Sequence, residues 1–158
     1  MEENRVSSMV YKFKLYVLPF LFLLLFSGCT KIQLIASYDE ETDTAITQLQ
    51  RKFETFFVEL EDDVGTQKAA YENHNQFYKT LRVDISAIKL RVAAQPRNEI
   101  TLEQVELLED NVDLLIQLHR GGIDSIELVD IARGNFNTAL TNILKLELAK
   151  KRGQEEVK

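Results

Sequence analysis

The chain has 158 residues, with 19 Lys and Arg against 25 Asp and Glu, a single Cys, no Trp, two Pro and six Gly. That length suits one small domain and leaves little room for a second core. One cysteine excludes an internal disulfide framework, a Cys-cluster zinc site or a CxxCH haem attachment, and a net charge of −6 argues against a nucleic-acid binder, whose surface needs a basic excess.

The first segment, residues 1–28, reads as a signal peptide. Arg5, Lys12 and Lys14 make a positive leading region, which favours retention of that end in the cytoplasm. Leu15 to Phe26 is apolar and free of charge. At ~1.5 Å per residue this stretch covers only about 18 Å, short of the ~30 Å hydrocarbon core of a bilayer. Pro19 inside the run also disfavours a straight spanning helix. A permanent span is therefore not expected.

Ser27 and Gly28 stand directly before Cys29, and the run Leu25-Phe26-Ser27-Gly28-Cys29 resembles the lipobox of bacterial lipoproteins. The resemblance implies cleavage after Gly28, diacylation of the Cys29 thiol and acylation of the new amino terminus. Thr30 after the cysteine implies, by the same resemblance, sorting to the outer membrane of a Gram-negative host. No single acyl chain anchors firmly, whereas two or three add roughly 0.8 kcal/mol per buried CH₂. Removal of residues 1–28 takes away two acidic and three basic side chains, so the mature net charge moves from −6 to about −7. Anionic headgroups repel such a body. Residues 29–37 then form a lipidated tether; its eight residues after Cys29 reach about 28 Å at full extension.

The body, residues 38–152, is expected to be all-α, an antiparallel up-down four-helix bundle. A first helix is expected from Tyr38, with Ser37 and Glu40 as a capping box and Asp39, Glu40, Glu41 and Asp43 at its positive end. Ile46, Leu49, Phe53, Phe56, Phe57 and Leu60 recur on one stripe, and Gly65 ends it. A second helix is expected over Gln67–Ala94, with Tyr71, His74, Phe77, Tyr78, Leu81, Ile85, Ile88 and Val92 on one face and Pro96 as its stop. Thr101 and Gln104 make another capping box. The third helix carries Leu102, Val105, Leu108, Val112, Leu115 and Ile116 and closes at Gly121-Gly122. Asp124 or Ser125 opens the fourth, with Ile126, Val129, Phe136, Leu140, Ile143 and Leu144, before Lys150-Lys151-Arg152. Those cations suit a helix C-terminus, and residues 153–158 are expected to fray. Apolar alternation and hairpin dipeptides are absent, so no strand is expected. Short connections favour neighbouring helices running in opposite directions.

The segments Tyr38–Asp43 and Gln50–Phe57 resemble small helical bacterial lipoproteins of uncharacterised role, which implies a helical periplasmic body and no particular activity. Metal ligation is not expected: a carboxylate-bridged bundle needs Glu-x-x-His pairs, whereas Glu72 precedes His74 by two positions and Ile116 precedes His119 by three. No phosphate loop, GxSxG elbow or HExxH pattern occurs, so no catalytic residue, cofactor or metal ligand is assigned. The aromatic group Phe53, Phe56, Phe57, Tyr71, Phe77 and Tyr78 reads as core, with tyrosine hydroxyls at its rim. Glu103, Glu106, Glu109, Asp110 and Asp113 read as a solvated face.

The third and fourth helices offer more apolar surface than a bundle stripe needs. Leu107, Leu114 and Leu118 lie beside the Val105–Leu108–Val112–Leu115 seam, while Leu128, Ile131 and Leu146 widen the fourth helix. Leu107, Leu114, Leu118, Leu128 and Leu146 form a candidate partner surface, for an envelope protein or a second copy. The expected function is that of a lipid-anchored, non-enzymatic binding or assembly factor of the envelope, attached to the membrane through Cys29 at the periplasmic face of the outer membrane. Secretin pilotins are similar in size and anchoring, a likeness of architecture alone. The alternative is a small-ligand or metal-binding helical bundle built on the aromatic group and His74.

Overall fold

The computed structural model describes residues 35–155; the signal segment, Cys29 and most of the tether lie outside them. The described chain is all-α: α1 Glu40–Asp63, α2 Asn75–Ala93, α3 Glu99–Gly121 and α4 Ile126–Glu155, with no strand among these residues. Two short 3-10 turns, Gln67–Ala69 and Tyr71–His74, join α1 to α2. α1 packs on α2, α2 on α3 and α3 on α4, while α4 returns to α1.

The periodic apolar positions explain that closure. Ile46, Leu49, Phe53, Phe56, Phe57 and Leu60 of α1 are all buried, as are Leu81, Ile85, Ile88 and Val92 of α2. They meet Val105, Leu108, Val112 and Leu115 of α3 and Val129, Phe136, Leu140 and Ile143 of α4 in one core cluster. Each such side chain contributes about 1.5–3 kcal/mol relative to exposure. Aromatic rings set the closest approaches: Phe53 stacks on Phe136 with centroids 4.2 Å apart, and Phe56 on Phe77 at 4.1 Å.

Ion pairs flank three of the four helix seams. Lys52 meets Asp84 at 2.5 Å, and Arg91 reaches back to Asp39 and Glu41, tying α1 to α2. Arg82 pairs with Asp113 at 2.6 Å and Lys89 with Glu109 at 2.9 Å across α2 and α3. Arg133 of α4 holds Glu54 and Glu61 of α1. Among the described residues no ion pair crosses from α3 to α4.

Several element ends differ from the sequence expectation. α1 starts at Glu40 after Asp39, and no side chain caps its amino groups; Thr42 donates instead to Asp39 at 2.6 Å. The expected helix from Gln67 begins only at Asn75. Thr66 accepts from the Lys68 amide and Asn73 donates to the Gln67 carbonyl, and these local side-chain bonds favour tight turns over a continuous helix. α3 starts at Glu99 rather than at a Thr101 cap, and Thr101 is buried inside its first turn. Ser125 does cap α4, accepting from the Leu128 amide at 3.3 Å. α4 continues through Gly153 to Glu155, past the expected fraying point.

Gly65 and Gly122 have φ of 78° and 97°, a region that side chains with a Cβ disfavour. Both stand just past helix ends, and the Gly122 amide donates to the His119 carbonyl at 3.1 Å, so the two glycines terminate their helices as the sequence implies.

Candidate functional site

The apolar surplus on α3 and α4 forms a groove. Leu107 is 49 % exposed, Leu114 61 %, Leu118 38 % and Ile131 54 %. Leu114, Leu118, Leu128 and Ile131 line a hollow of about 220 Å³ whose floor includes Leu115 and Phe136. Leu128 is half-buried and packs on the core, forming a wall of the groove. Leu146, also half-buried, lies further along α4, and Leu107 two helical turns before Leu114. Asn111 and Asn135 are the polar side chains at the groove.

A second hollow, about 340 Å³, lies between α1 and α2. Its lining includes Glu41, Lys52, Asp84 and Arg91, which already satisfy one another as the ion pairs described above. It presents no uncommitted charge to a ligand.

The aromatic group is core, as its spacing implies: Phe53, Phe56, Phe57 and Tyr78 are buried, and Tyr71 and Phe77 half-buried. One detail departs from expectation. The Tyr78 hydroxyl does not reach the rim but lies 2.6 Å from His119 Nδ1, and His119 Nε2 lies 2.7 Å from the Ala69 carbonyl. A carbonyl only accepts, so Nε2 carries the proton and neutral His119 accepts a hydrogen bond from the Tyr78 hydroxyl at Nδ1. Burial lowers the His119 pKa from its ordinary value, and desolvation raises that of Tyr78. His119 thereby fastens the Gln67–Ala69 turn over the end of the core.

His74 lies beside it, ring centroids 5.2 Å apart, with Nε2 3.2 Å from the Lys68 carbonyl. Both rings serve backbone groups. Among the described residues no three His, Cys, Asp or Glu side chains come together as a metal-binding group.

The sequence reading missed a buried ionic site. Glu147 and Lys150 are both buried; Lys150 Nζ donates to Glu147 at 2.5 Å and to Asn98 Oδ1 at 2.6 Å. Asn98 in turn donates to the Val92 carbonyl at 3.1 Å. Glu147 Oε2 has no hydrogen-bond partner. The terminal cation expected at Lys150 therefore points into the bundle. The signal was present: Leu140, Ile143, Glu147 and Lys150 continue one helical stripe at spacings of three and four.

The chain enters the bundle at the same end. Ala36 is buried and its amide donates to the Arg97 carbonyl at 3.1 Å. The Tyr38 hydroxyl donates to Asp43 at 2.7 Å, which pushes the Tyr38 pKa up to about 12. Asp39 is held down to about 2, chiefly by its hydrogen bonds from Arg91.

The acidic residues of α3 serve two purposes. Glu106, Glu109 and Asp113 pair with α2. Glu103 and Asp110 are exposed and make no ion pair among the described residues. Cys29 lies outside the described residues. No described helix is long and apolar enough to cross a membrane. Comparison with protein-family profiles, with curated proteins and with solved structures finds no match to this chain.

Proposed function

We propose that this chain is a non-enzymatic binding or assembly factor of the cell envelope, anchored by lipid on Cys29 at the periplasmic face of the outer membrane. Its body is an up-down antiparallel bundle that presents the α3–α4 groove to another chain. The start of α1 meets the end of α2 through Asp39 and Arg91, contacts that favour this arrangement. One observation carries the docking reading: Leu114, Leu118 and Ile131 stand exposed on adjoining helices around one hollow, and Leu107, seven residues before Leu114, is exposed as well. A contiguous apolar patch of this kind marks an interaction surface more often than scattered exposed residues do.

Two experiments test the two halves. Cys29→Ser should leave an uncleaved precursor and abolish palmitate labelling, and continued labelling would refute the anchor. A photoreactive residue at Leu114, introduced in cells, should crosslink a specific protein, and Leu107→Lys with Leu114→Lys should abolish the partner complex while the helical content stays intact. An unchanged set of partners in that folded variant removes the groove from the proposal.

A further inference from the structure

We propose that the occupant of the α3–α4 groove is a basic amphipathic helix of another protein, its apolar stripe on Leu107, Leu114, Leu118 and Ile131 and its Lys or Arg side chains on the acidic rim. The inference rests on the docking reading above and names the class of partner.

The groove has the spacing of a helix–helix seam. Ile100, Leu107 and Leu114 recur every seven residues, Leu118 follows four later, and Gln104 and Asn111 fill the alternate positions. That three-and-four alternation is the pattern on which a helix lays its own knobs. Ile100 is exposed as well, so the seam runs from Ile100 to Leu118, about 27 Å or five turns. A matching helix needs about 20 residues.

The rim decides the sign of the partner. At 100° per residue, Glu103 and Asp110 fall beside the α3 stripe on the side away from the core, and Glu127 takes the same place beside Ile131 on α4, while Asp130 lies further round toward Arg133 and α1. All four are exposed. Glu103, Asp110 and Glu127 make no ion pair among the described residues, and the nearby Arg133 is committed to Glu54 and Glu61. Arg120 is turned to Tyr71, and Lys145 lies 14 positions beyond Ile131, roughly 21 Å along the helix. The other three seams of the bundle close their acids with internal cations; this one leaves them to an incoming chain. An apolar floor between acidic edges selects a helix with basic flanks.

A second copy fits less well. Its own groove would set acid against acid. Its basic helix, α2, has Arg82 and Lys89 already bound to Asp113, Glu106 and Glu109. A contact between unlike faces would also propagate rather than close.

The test uses the full chain in phosphatidylcholine nanodiscs, whose zwitterionic lipid does not adsorb cationic peptides by charge. The probe is a fluorescein-labelled helical peptide of about 20 residues with leucines at seam spacing and lysines on both flanks; a partner peptide replaces each lysine by glutamate. Anisotropy should show saturable binding of the lysine peptide, at least about tenfold tighter than the glutamate peptide and weakened by salt. Leu114→Ser with Leu118→Ser should weaken it about tenfold or more, at unchanged circular dichroism. Asp110→Asn with Glu127→Gln should weaken the lysine peptide alone, about threefold to tenfold, and flatten its salt dependence. Equal binding of the two peptides overturns the proposal, as does binding indifferent to the leucine variant. Nanodisc pairing that this variant abolishes instead makes a second copy the occupant. If the Leu114 crosslink captures an acidic or uncharged segment, the basic class fails while the docking reading stands; if no crosslink forms either, both fail.

Discussion

The buried pair at the entry end of the bundle gives the sharpest energetic prediction. Lys150→Met keeps the aliphatic stem and removes the charge that answers Glu147. The carboxylate is then left fully buried, with Oε2 already lacking a donor. Breaking a buried pair by removing one member costs about 3–5 kcal/mol. That is a large part of the ~5–15 kcal/mol that holds a domain folded. Urea unfolding followed by far-UV circular dichroism should show the midpoint falling by roughly 2 M. The double variant Glu147→Leu with Lys150→Met should return to within about 1–2 kcal/mol of the parent, the residue of the loss being the Asn98 oxygen that Lys150 no longer reaches. A single variant that loses under about 1 kcal/mol, or a double variant that loses as much as the single, would refute the coupling.

Other elements make separate predictions. The folded pKa of His119 is lowered by burial, so its neutral form is favoured in the folded state; stability should be full above the ordinary value of 6.5 and decline below it, by at most about 1.4 kcal/mol per pH unit. His119→Leu should lose that slope, readable as melting temperature against pH, together with about 2–4 kcal/mol from the orphaned Ala69 carbonyl and Tyr78 hydroxyl. Asp39 is held down to about 2, so its contribution is present above about pH 4 and lost as pH falls through 2; with Arg91 partly solvated, Asp39→Asn should cost about 1 kcal/mol at neutral pH and nothing in strong acid, measured by urea midpoints. Gly122→Ala should cost about 1–2 kcal/mol from the φ of 97° alone, because an added Cβ meets nothing within 4 Å. Gly121→Ala, inside the helix, should be neutral or gain up to about 1 kcal/mol, and equal effects of the two alanines would remove the argument from backbone conformation.

Helical spacing made the core legible before any coordinates, because every residue of the α1 stripe from Ile46 to Leu60 obeys it. Element starts were less legible. Ser37 and Thr101 look like caps, but Asp39 and Asn98 occupy the capping positions without a side-chain cap bond, since tertiary demands decide where the chain turns in. At Gln67–His74 the helical pattern of Tyr71 and His74 competes with bonds from Thr66 and Asn73 that close tight turns, and the turns win. The buried polar residues share one explanation. Thr42, Thr101, His119, Glu147 and Lys150 each occupy the next position of an apolar stripe, near a helix end. Reading residue type ahead of position puts them in solvent; position alone puts them inside. The groove was legible for the opposite reason: Leu107, Leu114 and Leu118 fall off the core stripe, and an apolar residue off the stripe has no neighbour to cover it.

The distribution of charge explains why an apolar hollow stays open between α3 and α4. In a bundle this small, cations that bridge helices also shield the edges of the core with their methylene stems. Lys52, Arg82, Lys89, Arg91 and Arg133 do so at three seams. Along the α3–α4 groove no ion pair crosses the gap among the described residues, so Leu114, Leu118 and Ile131 remain open while Asp110 and Glu127 stand unanswered. Placing a lysine here from within the chain would close the groove and neutralise its rim in one step. Asn135→Lys on α4, opposite Asn111 in the hollow, should therefore leave the fold stable and reduce binding of a lysine-flanked helix about tenfold or more. Unimpaired binding by that variant would mean that neither the hollow nor its acidic rim takes part.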